Sequence, residues 1–274
     1  MSMQRVNWIV LGALVATLAF QTSFAAADEV AVKGRAVLEA NKGAVVTVQL
    51  VIKQKVSFPG MPSQDSESAS EATGTVIAPD GLTVVSLSQT DPTSLLETMM
   101  AGTPRAGEVK METEVRDVKI LLADGSEVPS EVILRDKDLD MAFVRPLEKQ
   151  DDDFSFVDIT NSANPQYLDQ VISLNRMGKV AGRAHSASVE RIDAIVQKPR
   201  TFYIPGKDPT NTALGSPAFT VDGKFIGVFF IRAIKSTGGG GGNRFLGGGN
   251  DNITTVILPA IDIADAAEQA PPFQ

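Results

Sequence analysis

GTVIAPDGLTVVSL, residues 74–87, sets apolar and β-branched residues on both sides of Pro79-Asp80-Gly81. Proline suits the first central position of a tight turn, and glycine suits a position that needs positive φ. The stretch therefore reads as strand, turn, strand. The device returns in VKILLADGSEVPSEVILRD (118–136), turning at Asp124-Gly125, and in PAFTVDGKFIGVFFI (217–231), turning at Asp222-Gly223. Working outward, GAVVTVQLVIK (43–53), MAFVRP (141–146), QVISLNR (170–176), ASVERIDAIV (187–196), TFYIP (201–205) and ITTVILP (253–259) add further strands. Many short strands with frequent turns predict an all-β barrel or sandwich.

Helices are few. DPTSLLETMM (91–100) offers Asp91 as a cap and Pro92 at a first helical position, and AIDIADAAEQA (260–270) reads as a C-terminal helix. Three segments read as loops: 58–74, rich in Ser and Glu; 101–115; and 236–251, rich in glycine. The acidic stretch EKQDDDF (148–154) reads as a solvated junction between two lobes, 28–150 and 151–274. Its three consecutive aspartates cannot all face one ion without a special loop.

At the N-terminus, Arg5 precedes a nearly unbroken apolar run from Trp8 to Phe20, followed by small residues at Ala25–Ala27. That run is shorter than the roughly 20 residues needed to span a bilayer. Residues 1–27 thus read as a secretory signal cleaved before Asp28, the alternative being an uncleaved membrane anchor. The expected location is outside the cytoplasm, in a bacterial periplasm or the extracellular space, with membrane contact only through an uncleaved signal.

Composition narrows the function classes. There are no cysteines, so disulfides and thiolate metal sites are excluded. A single histidine, His185, excludes a His-rich metal site. The formal net charge of −8 supplies no basic field for nucleic acid. The glycine run at 238–242 lacks the Lys-Ser/Thr end of a phosphate-binding loop. No cofactor or metal is expected.

Taken together, the motifs resemble the trypsin-like serine proteases of the bacterial HtrA (Deg) type. Three landmarks fall in the family's order: ATGTVIAPDGLTVVSLS (72–88), DKDLDMAFVRP (136–146) and TALGSPAFTVDGKFIGV (212–228). The resemblance implies two packed six-stranded β-barrels with a short C-terminal helix. A PDZ domain, which many relatives carry, is not expected, since these lobes take up the sequence. The resemblance also implies positions for the catalytic triad. The family histidine falls on Ser88, the aspartate on Asp140 and the serine on Leu214, while the oxyanion-hole amides fall on Thr212 and Leu214.

A triad needs a nucleophile, a base that accepts its proton and a group that orients the base. Serine does not serve as that base at neutral pH, and leucine has no nucleophilic atom. Thr212, replacing a family glycine, resists the special backbone of an oxyanion hole. Two rescues remain open: Ser216 as nucleophile with His185 as base, or a carboxylate pair among Asp136, Asp138 and Asp140. The first expectation is a non-catalytic protein binding extended peptides or proteins through a peptidase cleft, with oligomer formation left open. The alternative is an active serine endopeptidase using Ser216 and His185.

Overall fold

In the computed structural model, which describes residues 29–57, 60–93, 95, 110–206, 214–233 and 253–273, the Asp-Gly turns fall where the sequence places them. Gly81, Gly125 and Gly223 all have positive φ. At the first turn, Asp80 Oδ1 accepts from Leu82 N at 3.0 Å. Ile77 N donates to the Leu82 carbonyl at 2.8 Å and closes the hairpin.

Twelve strands are described. The first six are β1 (Val45–Ser57), β2 (Gln64–Val76), β3 (Thr83–Ser86), β4 (Lys110–Leu121), β5 (Glu127–Asp136) and β6 (Met141–Pro146). They close in the order β1-β2-β3-β6-β5-β4. The others are β7 (Gln170–Arg176), β8 (His185–Val196), β9 (Phe202–Pro205), β10 (Pro217–Thr220), β11 (Phe225–Ala233) and β12 (Ile253–Pro259). These close in the order β10-β11-β12-β9-β8-β7. The fold is thus the pair of closed six-stranded antiparallel barrels that the resemblance implies.

One apolar cluster runs through both barrels, from Val48, Val84 and Phe143 to Ile172, Phe219, Phe230 and Leu258. A smaller one, around Ile192, Phe229 and Ile257, fills the second barrel. Polar contacts also bind the barrels together. The buried Arg176 guanidinium, at the end of β7, donates to the Leu121 carbonyl at 2.7 Å and the Leu122 carbonyl at 2.8 Å. At the C-terminal end, Arg145 of β6 donates to the Pro271 carbonyl and lies 5.4 Å from the Phe273 ring centroid.

The structure departs from the sequence reading in three places. A helix, α1, covers 29–41, a span with no helical expectation. Its apolar positions Val30, Val37 and Leu38 pack on the core at helical spacing, and Lys33 reaches Asp222 at 3.1 Å. The segment 58–74 is largely strand, because β2 pairs with β1 along its whole length. The loop expected over 101–115 gives way to β4 from Lys110, with 101–109 outside the described residues.

Between β3 and β4, the single-turn α2 spans Leu87–Thr90, and most of the helix expected at 92–100 lies outside the described residues. The C-terminal helix, α3, is Ala260–Ala267. The loop expected at 236–251 and the apolar run 8–20 also lie outside them. Among the described residues, no helix is long and apolar enough to cross a membrane. No group of three or more metal-ligating side chains occurs there either.

Phe143 is fully buried in β6, whereas Phe156 in the inter-barrel segment is 45% exposed. In urea unfolding, Phe143→Ala should cost about 3–5 kcal/mol, since it removes a large apolar side chain and leaves a cavity. Phe156→Ala should change stability by about 1 kcal/mol or less.

Candidate functional site

β3 ends at Ser86, and the single turn of α2 then places Ser88 beside the corner joining β5 to β6. Asp140 occupies that corner with φ of 54°, a left-handed conformation that aspartate tolerates better than most residues. Its backbone carbonyl accepts from Leu87 N at 2.8 Å. The carboxylate is largely buried and fully engaged. Oδ1 accepts from Ser88 N at 2.7 Å. Oδ2 accepts from the Ser86 hydroxyl at 2.7 Å, the Ser88 hydroxyl at 3.2 Å and, across the barrel junction, Ile231 N of β11 at 3.1 Å. The two serine hydroxyls lie 2.9 Å apart.

Burial pushes the Asp140 carboxyl above its ordinary range, and the serine and backbone donors only partly offset that effect. The neighbouring aspartates do not join it. Asp136 accepts from Asp138 N and Leu139 N of its own turn, while the Asp138 carbonyl accepts from the Arg232 guanidinium. This stretch is a polar turn rather than a carboxylate pair.

The loop before β10 packs against the same corner. Leu214 is 3% exposed. Gly215 has φ of +81°, and a Cβ there would stand 2.0 Å from the Thr73 carbonyl oxygen and 3.6 Å from Ser86 N. Only glycine fits this contact. Gly215 N donates to the Phe229 carbonyl at 2.8 Å, and the Gly215 carbonyl accepts from the Thr75 hydroxyl at 2.7 Å. The Gly215 amide is therefore already spent. Thr212 lies outside the described residues.

Ser216 is completely buried. Its hydroxyl donates to Asn175 Oδ1 at 3.2 Å, and that oxygen also accepts from the Thr73 hydroxyl at 3.0 Å and Arg176 N at 2.8 Å. His185 stands elsewhere. In the β7–β8 ladder, Asn175 pairs with Ser186 and Arg176 pairs with His185. Paired residues of antiparallel strands share a face, and successive residues alternate. Ser216 lies on the Asn175 face, so His185 points from the opposite face, with β7 between them. Burial and the nearby charges of Arg176 and Lys42 lower the imidazole pKa. Its Nδ1 has no hydrogen-bond partner among the described residues.

The structure thus joins Ser88 directly to Asp140, sets the Leu214–Gly215 loop against Ser86, and separates His185 from Ser216. Ser86, Thr73 and Asn175 complete the arrangement and were not singled out in the sequence. A weak signal existed for Asn175, a polar residue closing the apolar strand QVISLN. Among the described residues, two surface cavities lie away from this arrangement. One of about 580 Å3 is lined by Asp124, Glu127 and Asp151–Phe154, and one of about 500 Å3 by Tyr167, Ile195, Tyr203 and Ile261.

Comparison with known proteins adds the family. The family model described as a trypsin-like peptidase domain matches residues 72–228, a span that includes Ser88, Asp140 and Leu214. A search of curated protein sequences returns no match. Among solved structures, the chain is similar to the MamO protease domain from Magnetospirillum magneticum in its apo form, at 13% identity and a TM-score of 0.47, covering 83% of this chain and 97% of that one. It is also similar to an inactive serine-to-alanine mutant of Rv3671c from M. tuberculosis H37Rv, at 16% identity and a TM-score of 0.47, with coverages of 85% and 89%. A third similarity is to a serine-to-alanine variant of the HtrA-type protease AlgW with a tripeptide, at 14% identity and a TM-score of 0.48, with coverages of 85% and 62%.

Asp140→Ala would leave two backbone amides and two hydroxyls without their acceptor, and should cost about 2–4 kcal/mol in denaturant unfolding. Ser88→Ala removes the 3.2 Å bond to Asp140 and the 2.9 Å contact with the Ser86 hydroxyl but strands no backbone group, and should cost about 1 kcal/mol. The raised pKa also sets a pH dependence. Its contribution to stability is fully present below the unfolded value of about 3.9 and is lost as pH rises through the higher folded value. Relative to Asp140→Asn, wild type should therefore gain stability as pH falls through that window. Paired unfolding titrations check the sign.

Proposed function

Because the chain belongs to the trypsin-like peptidase domain family, we propose that it keeps the peptide-binding frame of a peptidase without the chemistry, as an exported, non-catalytic peptide- or protein-binding scaffold. One observation supports this reading: the Ser88 hydroxyl rests on Asp140 at 3.2 Å, and the motif resemblance assigns Ser88 to the family's imidazole and Leu214 to its nucleophile. Neither side chain can take or give the proton that acyl transfer requires. In well-studied triads, loss of the nucleophile or the base costs on the order of 10⁶ in rate.

The active reading, with Ser216 and His185, is disfavoured by the complete burial of Ser216 and by the strand register that turns His185 away. The export element rests on the apolar run Trp8–Phe20 followed by Ala25–Ala27.

Peptide binding needs a free strand edge rather than a triad. β11 pairs with β12 without a register shift from Gly227 to Ala233. Phe229 exchanges backbone hydrogen bonds with Gly215 and Ser216, so odd-numbered residues of β11 face away from β12. Ile231 N follows the same parity and reaches Asp140. The Ile231 carbonyl and the Ala233 amide and carbonyl thus form the edge along which an extended chain would pair.

The test uses fluorescein-labelled β-casein and the full chain. Binding should raise its anisotropy with no growth in free amines, and Ala233→Pro should weaken that binding about tenfold by deleting an edge donor while leaving the β12 ladder intact. Casein cleavage that Ser216→Ala abolishes, or casein binding indifferent to Ala233→Pro, would overturn the proposal.

A further inference from the structure

A second strand edge stands clear of the barrel, apart from the β11 edge. β2 pairs with β1 from Val45↔Thr75 to Val56↔Gln64 without a register shift, and with β3 only over Gly74–Val76. The hydrogen bond from Ile77 N to Leu82 O fixes the parity, directing the backbone groups of odd-numbered β2 residues away from β1. The Thr73 carbonyl obeys it by pointing at Gly215. Asp65, Glu67 and Ala69 therefore present their amides and carbonyls outward, unpaired among the described residues, and residues 64–69 are all exposed. At the inner end, Glu71 is occupied by Arg183 at 2.7 Å.

The side chains on one face of this sheet specify a charge pattern. Lys53 of β1 lies opposite Glu67 of β2 and Glu114 of β4, and Lys55 lies opposite Asp65 and Glu112. Each row reads carboxylate, ammonium, carboxylate, and each ends on β2 with a negative charge at the open edge. Directly opposed unlike charges stabilise a sheet and like charges oppose it. The next strand in both rows should carry a cation. Since Asp65 and Glu67 are two residues apart, those cations belong at positions i and i+2 of one extended chain.

We propose that the outer edge of β2, at residues 65–69, accepts by strand addition an extended segment of another protein carrying Lys or Arg at two alternate positions. The free backbone supplies the pairing, and Asp65 and Glu67 select the charge.

The probes are fluorescein-labelled Thr-Lys-Val-Lys-Thr-Val-Thr and its analogue with both Lys replaced by Glu, titrated into the full chain and followed by anisotropy at low salt. The Lys peptide should bind about tenfold more tightly than the Glu peptide, and Asp65→Lys with Glu67→Lys should reverse the order. Ala69→Pro deletes an outward amide without altering charge and should abolish binding of both, with the unfolding transition little changed. Ala233→Pro should leave this binding unaltered, which separates it from the β11 edge. Equal affinity for the two peptides would overturn the proposal, as would full binding by Ala69→Pro, which would mean plain surface attraction. Dimerisation removed by Ala69→Pro, without peptide binding, would assign the edge to a second copy and overturn it too.

Discussion

The Asp140 carboxylate is the constraint around which the two barrels meet. It draws in donors from β3, from α2 and, across the junction, from β11. A buried carboxylate is expensive unless its oxygens are saturated, and saturation fixes the positions of all its donors at once. Two serine hydroxyls and two backbone amides supply that saturation, so the aspartate joins elements of both barrels.

The loop leading into β10 is locked by steric and polar contacts together. Gly215 lies against the Thr73 carbonyl so closely that no side chain fits. Thr75 and Phe229 occupy its carbonyl and amide, and Asn175 gathers the hydroxyls of Thr73 and Ser216 into one oxygen. The hydroxyl of Ser216 is thereby used as structural cement between barrels.

Much of this was legible from local chemistry. The Asp-Gly turns carry their own conformational demand, so the hairpins at 74–87, 118–136 and 217–231 could be placed without tertiary information. The resemblance assigned Ser88 and Asp140 to one site, but their direct hydrogen bonds came only with the structure. Other features depended on partners distant in sequence. The outer half of β2, with its Ser and Glu, has poor strand propensity and is a strand because β1 offers a complete ladder. The helix 29–41 carries valines that read equally well as strand, and its packing on the core decides the matter. Ser216 and His185 stood open only as a fallback pair, and the β7–β8 register puts them on opposite faces.

The central claim is that no side chain at this site is an activated nucleophile. The most direct measurement treats the full chain with a large excess of a fluorophosphonate and records the intact mass. The account predicts an unmodified mass under conditions that label trypsin completely. A stoichiometric adduct mapped to Ser216, Ser88 or any other serine would contradict it.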